Sequence, residues 1–101
     1  MTAFEFFKAQ LDEAVEMGLT QRINPEIKSG SLKWVQVCAD WFFGGAWDYQ
    51  MKDATDIQEM RERKFLKVME YTNWRARQLG QTRKYALTNK GIRAFYKAMI
   101  G

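Results

Sequence analysis

The chain has 101 residues, 47% of them apolar and 15% aromatic, which is enough to bury one core, too little for two domains and too apolar for disorder. It has no histidine and one cysteine, Cys38, which excludes an internal disulfide and a Cys/His zinc site within one chain and removes the commonest general base. The net charge of +4 is unevenly spread: residues 1–60 hold five Lys/Arg against ten Asp/Glu, and residues 61–101 hold eleven against two, the footprint of a polyanion binder.

Thr2 and Glu5 stand at the spacing of a capping box, and Phe4, Phe7, Leu11 and Val15 follow at steps of three and four. This predicts a helix over about residues 3–17, stopped by Gly18, whose apolar stripe packs on the core or on a partner chain. The first residues are acidic where a leader would be apolar, and no run approaches the ~18 apolar residues of a membrane span. The expectation is a reduced, cytoplasmic protein without a membrane partner. Asn24-Pro25-Glu26 reads as a cap followed by proline, so residues 19–30 form a connection with a short helical segment. Ser31 then caps a second helix from Leu32 to Phe43, with Leu32, Val35, Cys38, Ala39 and Phe42 on one face and Gly44-Gly45 as its end. Trp41, Phe42, Phe43, Trp47 and Tyr49 read as core packing and helix-end contacts ahead of base stacking.

Residues 46–54 read as a short helix. Asp56 and Glu59, again at capping-box spacing, start a longer one over about 57–73, with Asn73 as a left-handed end. WRARQ and RKYAL alternate on either side of LGQT, the pattern of a β-hairpin with Trp74 and Ala76 on one face and Arg75 and Arg77 on the other. A final helix over about 90–100 carries Ile92, Phe95, Tyr96, Met99 and Ile100 at helical spacing. The fold class is mainly α with a β-hairpin, an α+β arrangement.

Tyr85, Leu87, Thr88, Lys90 and Gly91 form a Tyr-x-Leu-Thr-x-Lys-Gly motif between the last strand and the last helix. With the order helix, short helix, turn, longer helix, hairpin, helix, residues 32–100 resemble the winged helix-turn-helix superfamily, and their end resembles the PadR and MarR types of regulator. The resemblance implies one domain over residues 1–101: an extra N-terminal helix (1–18), a connection (19–30) and a winged-helix core (31–101). Met51, the Thr55-Asp56 turn and Ile57 fill the helix-turn-helix positions. Leu66 and Met69 take the buried positions of the recognition helix, Asn73 its end and Trp74 the entry to the wing. In the motif Tyr85 and Leu87 point inward, Thr88 caps and Gly91 lets backbones approach. Two residues depart from the pattern: Lys52 stands where a small residue is usual, and Glu62 where an apolar one is.

By this resemblance the chain is a small transcriptional regulator that binds duplex DNA without catalysis or cofactor, as a homodimer through its first and last helices. The candidate DNA-binding residues are Arg61, Arg63, Lys64 and Lys67 on the recognition helix and Arg75, Arg77, Arg83 and Lys84 in the wing, suited to phosphate and groove contacts. Tyr71 lies on the same exposed helix face, and Arg63 is within reach of Glu59 and Glu70. Asp53, Asp56, Glu59 and Glu62 recur at steps of three; capping and a positive helix end explain them more simply than a metal site. Acids at that helix start oppose phosphate. They favour a rival reading, a winged-helix protein-interaction module such as a phage- or plasmid-type accessory protein that binds and inhibits a larger host complex.

Overall fold

The computed structural model describes residues 1–18, 25–41 and 46–100, with backbone only at 40 and 41. Its elements are α1 (Ala3–Glu16), α2 (Leu32–Trp41), β1 (Ala46–Trp47), α3 (Ile57–Glu62), β2 (Leu66–Glu70), α4 (Trp74–Gln78), β3 (Arg83–Leu87) and α5 (Asn89–Met99). Among the described residues this is an α+β globule of five helices and one antiparallel sheet in the order β1-β3-β2.

The helix starts follow the caps. The Thr2 hydroxyl accepts from the Glu5 amide at 3.1 Å, and Gly18, at φ 68°, follows α1 in the left-handed conformation. Ser31 accepts from the Trp34 amide at 3.1 Å and opens α2. Thr88 accepts from the Gly91 amide at 3.0 Å and opens α5. The Asn24 cap, Phe42, Phe43 and the Gly44-Gly45 stop lie outside the described residues, and residues 25–30 are turns.

The core forms where α5 meets α1, α2 and β3. Phe7 and Leu11 of α1, Val35 and Cys38 of α2, Tyr85 and Leu87 of β3, and Ile92 and Phe95 of α5 are buried in one cluster with Met51 and Phe65. Phe4 stacks on Phe65 and meets Phe95 edge to face, both at 5.9 Å between centroids. Phe4, Phe7 and Leu11 of the α1 stripe therefore close on their own chain, and Val15 stays exposed. No charged side chain among the described residues is buried, and no described helix is long and apolar enough to cross a membrane.

Residues 46–87 depart from the sequence reading. The expected short helix at 46–54 is a two-residue strand followed by turns. The expected recognition helix over 57–73 stops at Glu62. Arg63 and Lys64 turn the chain, Lys64 at φ 60°, and Leu66–Glu70 pairs with β3 in the register Leu66↔Leu87 to Glu70↔Arg83. Leu66 and Val68 thereby join the core face, and Met69, expected to be buried, faces out. The expected first wing strand, 74–78, is the helix α4. Asn73 starts it rather than ending a longer one: its side chain accepts from the Ala76 amide at 2.7 Å.

Asp56 does not cap its own helix. Its carboxylate instead accepts from the Ala3 amide at 2.7 Å, while the Thr55 amide donates to the Met1 carbonyl at 3.0 Å. The start of α1 is thus held by the residues that precede α3. Glu62 and Lys52 are exposed, and Gln58 donates to Glu62 at 3.2 Å, so neither departure from the family pattern buries a charge.

Candidate nucleic-acid interface

Alternation along the strands assigns the faces of the sheet. Leu66, Val68, Tyr85 and Leu87 turn to the core. Lys67, Met69, Lys84, Ala86 and Trp47 lie on the outer face, in the pairs Lys67↔Ala86, Met69↔Lys84 and Trp47↔Lys84. That outer face sets two lysines beside Met69, Ala86 and Trp47, and no acid lies on it among the described residues. The Lys84 ammonium lies 5.2 Å from the centre of the Trp47 ring, and Trp47 meets Tyr71 at 5.3 Å with their planes tilted 58°.

Beyond the end of the sheet, α4 stands over these aromatics. A cleft of about 340 Å3 is bounded by Trp47, Tyr71, Asn73, Arg75, Leu79 and Gln81. A smaller one, about 190 Å3, lies on the other side of Tyr71 and brings Arg77 and Arg83 to Glu70. Three predicted residues, Arg75, Arg77 and Arg83, therefore line clefts that Tyr71 borders, and a fourth, Lys84, lies against its neighbour Trp47. They reach it from a helix and a strand, not from two strands of a wing.

Their states differ. Arg75 and Arg77 are exposed and have no ion pair among the described residues. Arg83 pairs with Glu70 at 3.8 Å, and hydrogen bonding to the Tyr85 side chain, helped by the Glu70 carboxylate, raises its pKa above the ordinary guanidinium value. Asp48 accepts from the Thr82 hydroxyl at 2.7 Å and is the second acid near Arg83.

The remaining predicted residues lie toward the other end of β2, roughly 10–15 Å away at strand spacing. Arg63 pairs with Glu59 at 3.7 Å, as expected, and its guanidinium covers the Phe65 ring at 4.7 Å; Glu70, its other expected neighbour, is held by Arg83 instead. The Lys64 carbonyl accepts from the Thr88 hydroxyl at 2.6 Å, and Lys90 approaches Phe65 from its own side at 5.5 Å. Arg61 is half-buried on α3, and Lys67 is exposed on the outer sheet face. No single helix face holds Arg61, Arg63, Lys64 and Lys67.

The four carboxylates spaced by three also separate. Asp56 faces Ala3, Glu59 faces Arg63 and Glu62 faces Gln58; among the described residues no three acids form a group able to hold a metal ion. Trp47, expected among the core aromatics, is half-buried on the outer face, and Tyr49 is half exposed. The signal was present: Trp47 falls in a stretch too short and too glycine-rich to continue a helix. No family model, curated protein or solved structure matches the chain.

Proposed function

We propose that the chain is a small duplex-DNA-binding regulator, a variant of the winged helix-turn-helix layout whose DNA contact is made by α4 and the outer sheet face. The observation that carries this reading is the pair Arg75 and Arg77, exposed on α4 and without an ion pair among the described residues. Exposed guanidinium groups without an ion pair among the described residues suit phosphate, since neither must break such a pair to bind. The antiparallel β2–β3 pair and the Thr88-capped α5 support the family likeness. The helix α3 does not support insertion into a groove: six residues span about 9 Å, and Glu59 and Glu62 are exposed on it.

The test is a salt series of binding titrations on random-sequence duplex. Arg75→Ala with Arg77→Ala should lower affinity and flatten the slope of log affinity against log salt by about two. Arg63→Ala should change it less, because Arg63 is already paired with Glu59. Absence of duplex binding at low salt overturns the proposal.

The exposed Trp74, at 73% accessibility, with Leu79 at 56%, favours the second reading, a protein-interaction module docking through α4. Trp74→Ser separates the two: it abolishes capture of a protein partner and leaves phosphate-driven DNA affinity in place. A homodimer remains part of the proposal, with Val15 of α1 and Met17 just after it as exposed apolar residues. Light scattering across concentrations tests it, and a monomer at all of them overturns it.

A further inference from the structure

We infer that the cleft between the outer sheet face and α4 takes an unpaired base of a single-stranded nucleic-acid segment, stacked against Trp47 and Tyr71, with Arg75 and Lys84 meeting the flanking phosphates. The inference rests on the nucleic-acid reading above and names the part of the ligand that this cleft receives.

Three observations converge on it. The wall is aromatic: Trp47 and Tyr71 touch at 5.3 Å and are each only half-buried, so ring surface remains open to the cleft. Every base has a π face, so stacking of this kind tolerates any sequence. The rim holds one cation, Arg75, with Lys84 beyond it at the Trp47 ring, and among the described residues no Asp or Glu bounds it, unlike its neighbour, which contains Glu70. That difference makes this cleft, and not the other, complementary to a chain of phosphates. The third observation is unspent polar capacity. Asn73 uses its side-chain oxygen on the Ala76 amide, which leaves its NH2 group to donate, and Gln81 uses only its backbone, donating to the Ala76 carbonyl at 2.9 Å. Two side-chain amides beside an aromatic wall offer donors and an acceptor to the edge of a base.

A paired base cannot enter, because its faces are covered by its neighbours and its edge by its partner. The preferred ligand is therefore a duplex end or junction with an unpaired tail, whose phosphates follow Lys84 and Lys67 along the outer face.

The experiment uses the full chain and three fluorescently labelled probes: a blunt duplex, the same duplex with a short thymidine tail, and the same duplex with an abasic tail of equal length. The thymidine tail should bind roughly tenfold tighter than the abasic one, the scale of one or two stacked bases. Tyr71→Leu should remove that difference, with circular dichroism as the check on folding. The wild-type comparison of the two tails stands whether or not the variant folds. Equal affinity for thymidine and abasic tails overturns the inference, and if the blunt duplex still binds, the DNA reading survives it. Binding of the thymidine tail without binding of the blunt duplex supports the inference and overturns the duplex reading. Binding of no probe overturns both.

Discussion

Gly91 lies against the backbone of Phe65. A Cβ at position 91 would sit 2.9 Å from the Phe65 carbonyl carbon and closer still to its oxygen. The obstruction is main chain, so no rotamer change relieves it. The same Phe65 carbonyl accepts from the Thr88 amide at 3.0 Å, which locks the start of α5 to the turn before β2. Gly91→Ala should therefore destabilise the protein by about 3 kcal/mol or more, lowering the melting temperature by at least about 10 °C. An alanine variant that melts with the wild type would contradict this contact.

Lys64 gives a test of opposite sign. A lysine at φ 60° costs about 1 kcal/mol that glycine would not. Lys64→Gly should leave stability unchanged or raise it by up to ~1 kcal/mol in urea unfolding. Were residues 57–73 one continuous helix, the same change would cost about 1 kcal/mol. The sign of the change decides between turn and helix.

Asp56→Ala should act at a distance in sequence. It removes the acceptor of the Ala3 amide, not a cap of α3, so the cost of about 1–2 kcal/mol should appear as faster hydrogen exchange in the first turn of α1. Exchange accelerated in α3 alone would refute the assignment.

Burial raises the Cys38 thiol above its ordinary pKa. Below the ordinary thiol range Cys38 is neutral in folded and unfolded chains alike, and stability is undiminished. As pH rises through that range the unfolded chain loses its proton first. Stability then falls, at up to about 1.4 kcal/mol per pH unit, until the folded thiol ionises too. Cys38→Ala should abolish this alkaline loss, and native Cys38 should react slowly with thiol reagents until denaturant is added. Rapid labelling of the native protein would disprove its burial.

How far the sequence could be read depended on the kind of signal. Thr2, Ser31 and Thr88 are local caps, and each makes the bond its spacing predicts. Tyr85, Leu87 and Gly91 behave as the motif implies, because strand alternation and a missing Cβ are properties of a few adjacent residues. The errors lie where local preference was balanced. RERKFLKVMEY suits a helix by composition, and only pairing with Leu87 and Tyr85, some twenty residues away, makes Leu66–Glu70 a strand. WRARQ alternates, yet it has no β-branched residue, an Asn cap before it and Gly80 at φ 67° after it, so the helix was legible and was outweighed by the alternation. The candidate site followed these errors. Its basic residues are visible in the sequence, but the meeting of Arg75, Arg77 and Arg83 beside Tyr71 depends on tertiary pairing that no local pattern encodes.

The strand order also bears on the order of events during synthesis. β1 and β2 do not pair with each other; each pairs with β3, which the chain reaches later than both. A ribosome-bound chain that stops short of Arg83 therefore holds two strands and no sheet, with Leu66 and Val68 lacking a cover. The fold is assembled from its C-terminal side, as a late step that closes over earlier segments kept waiting. Nascent chains arrested before and after β3 should differ sharply in protease resistance, whereas arrest before or after β2 should make little difference.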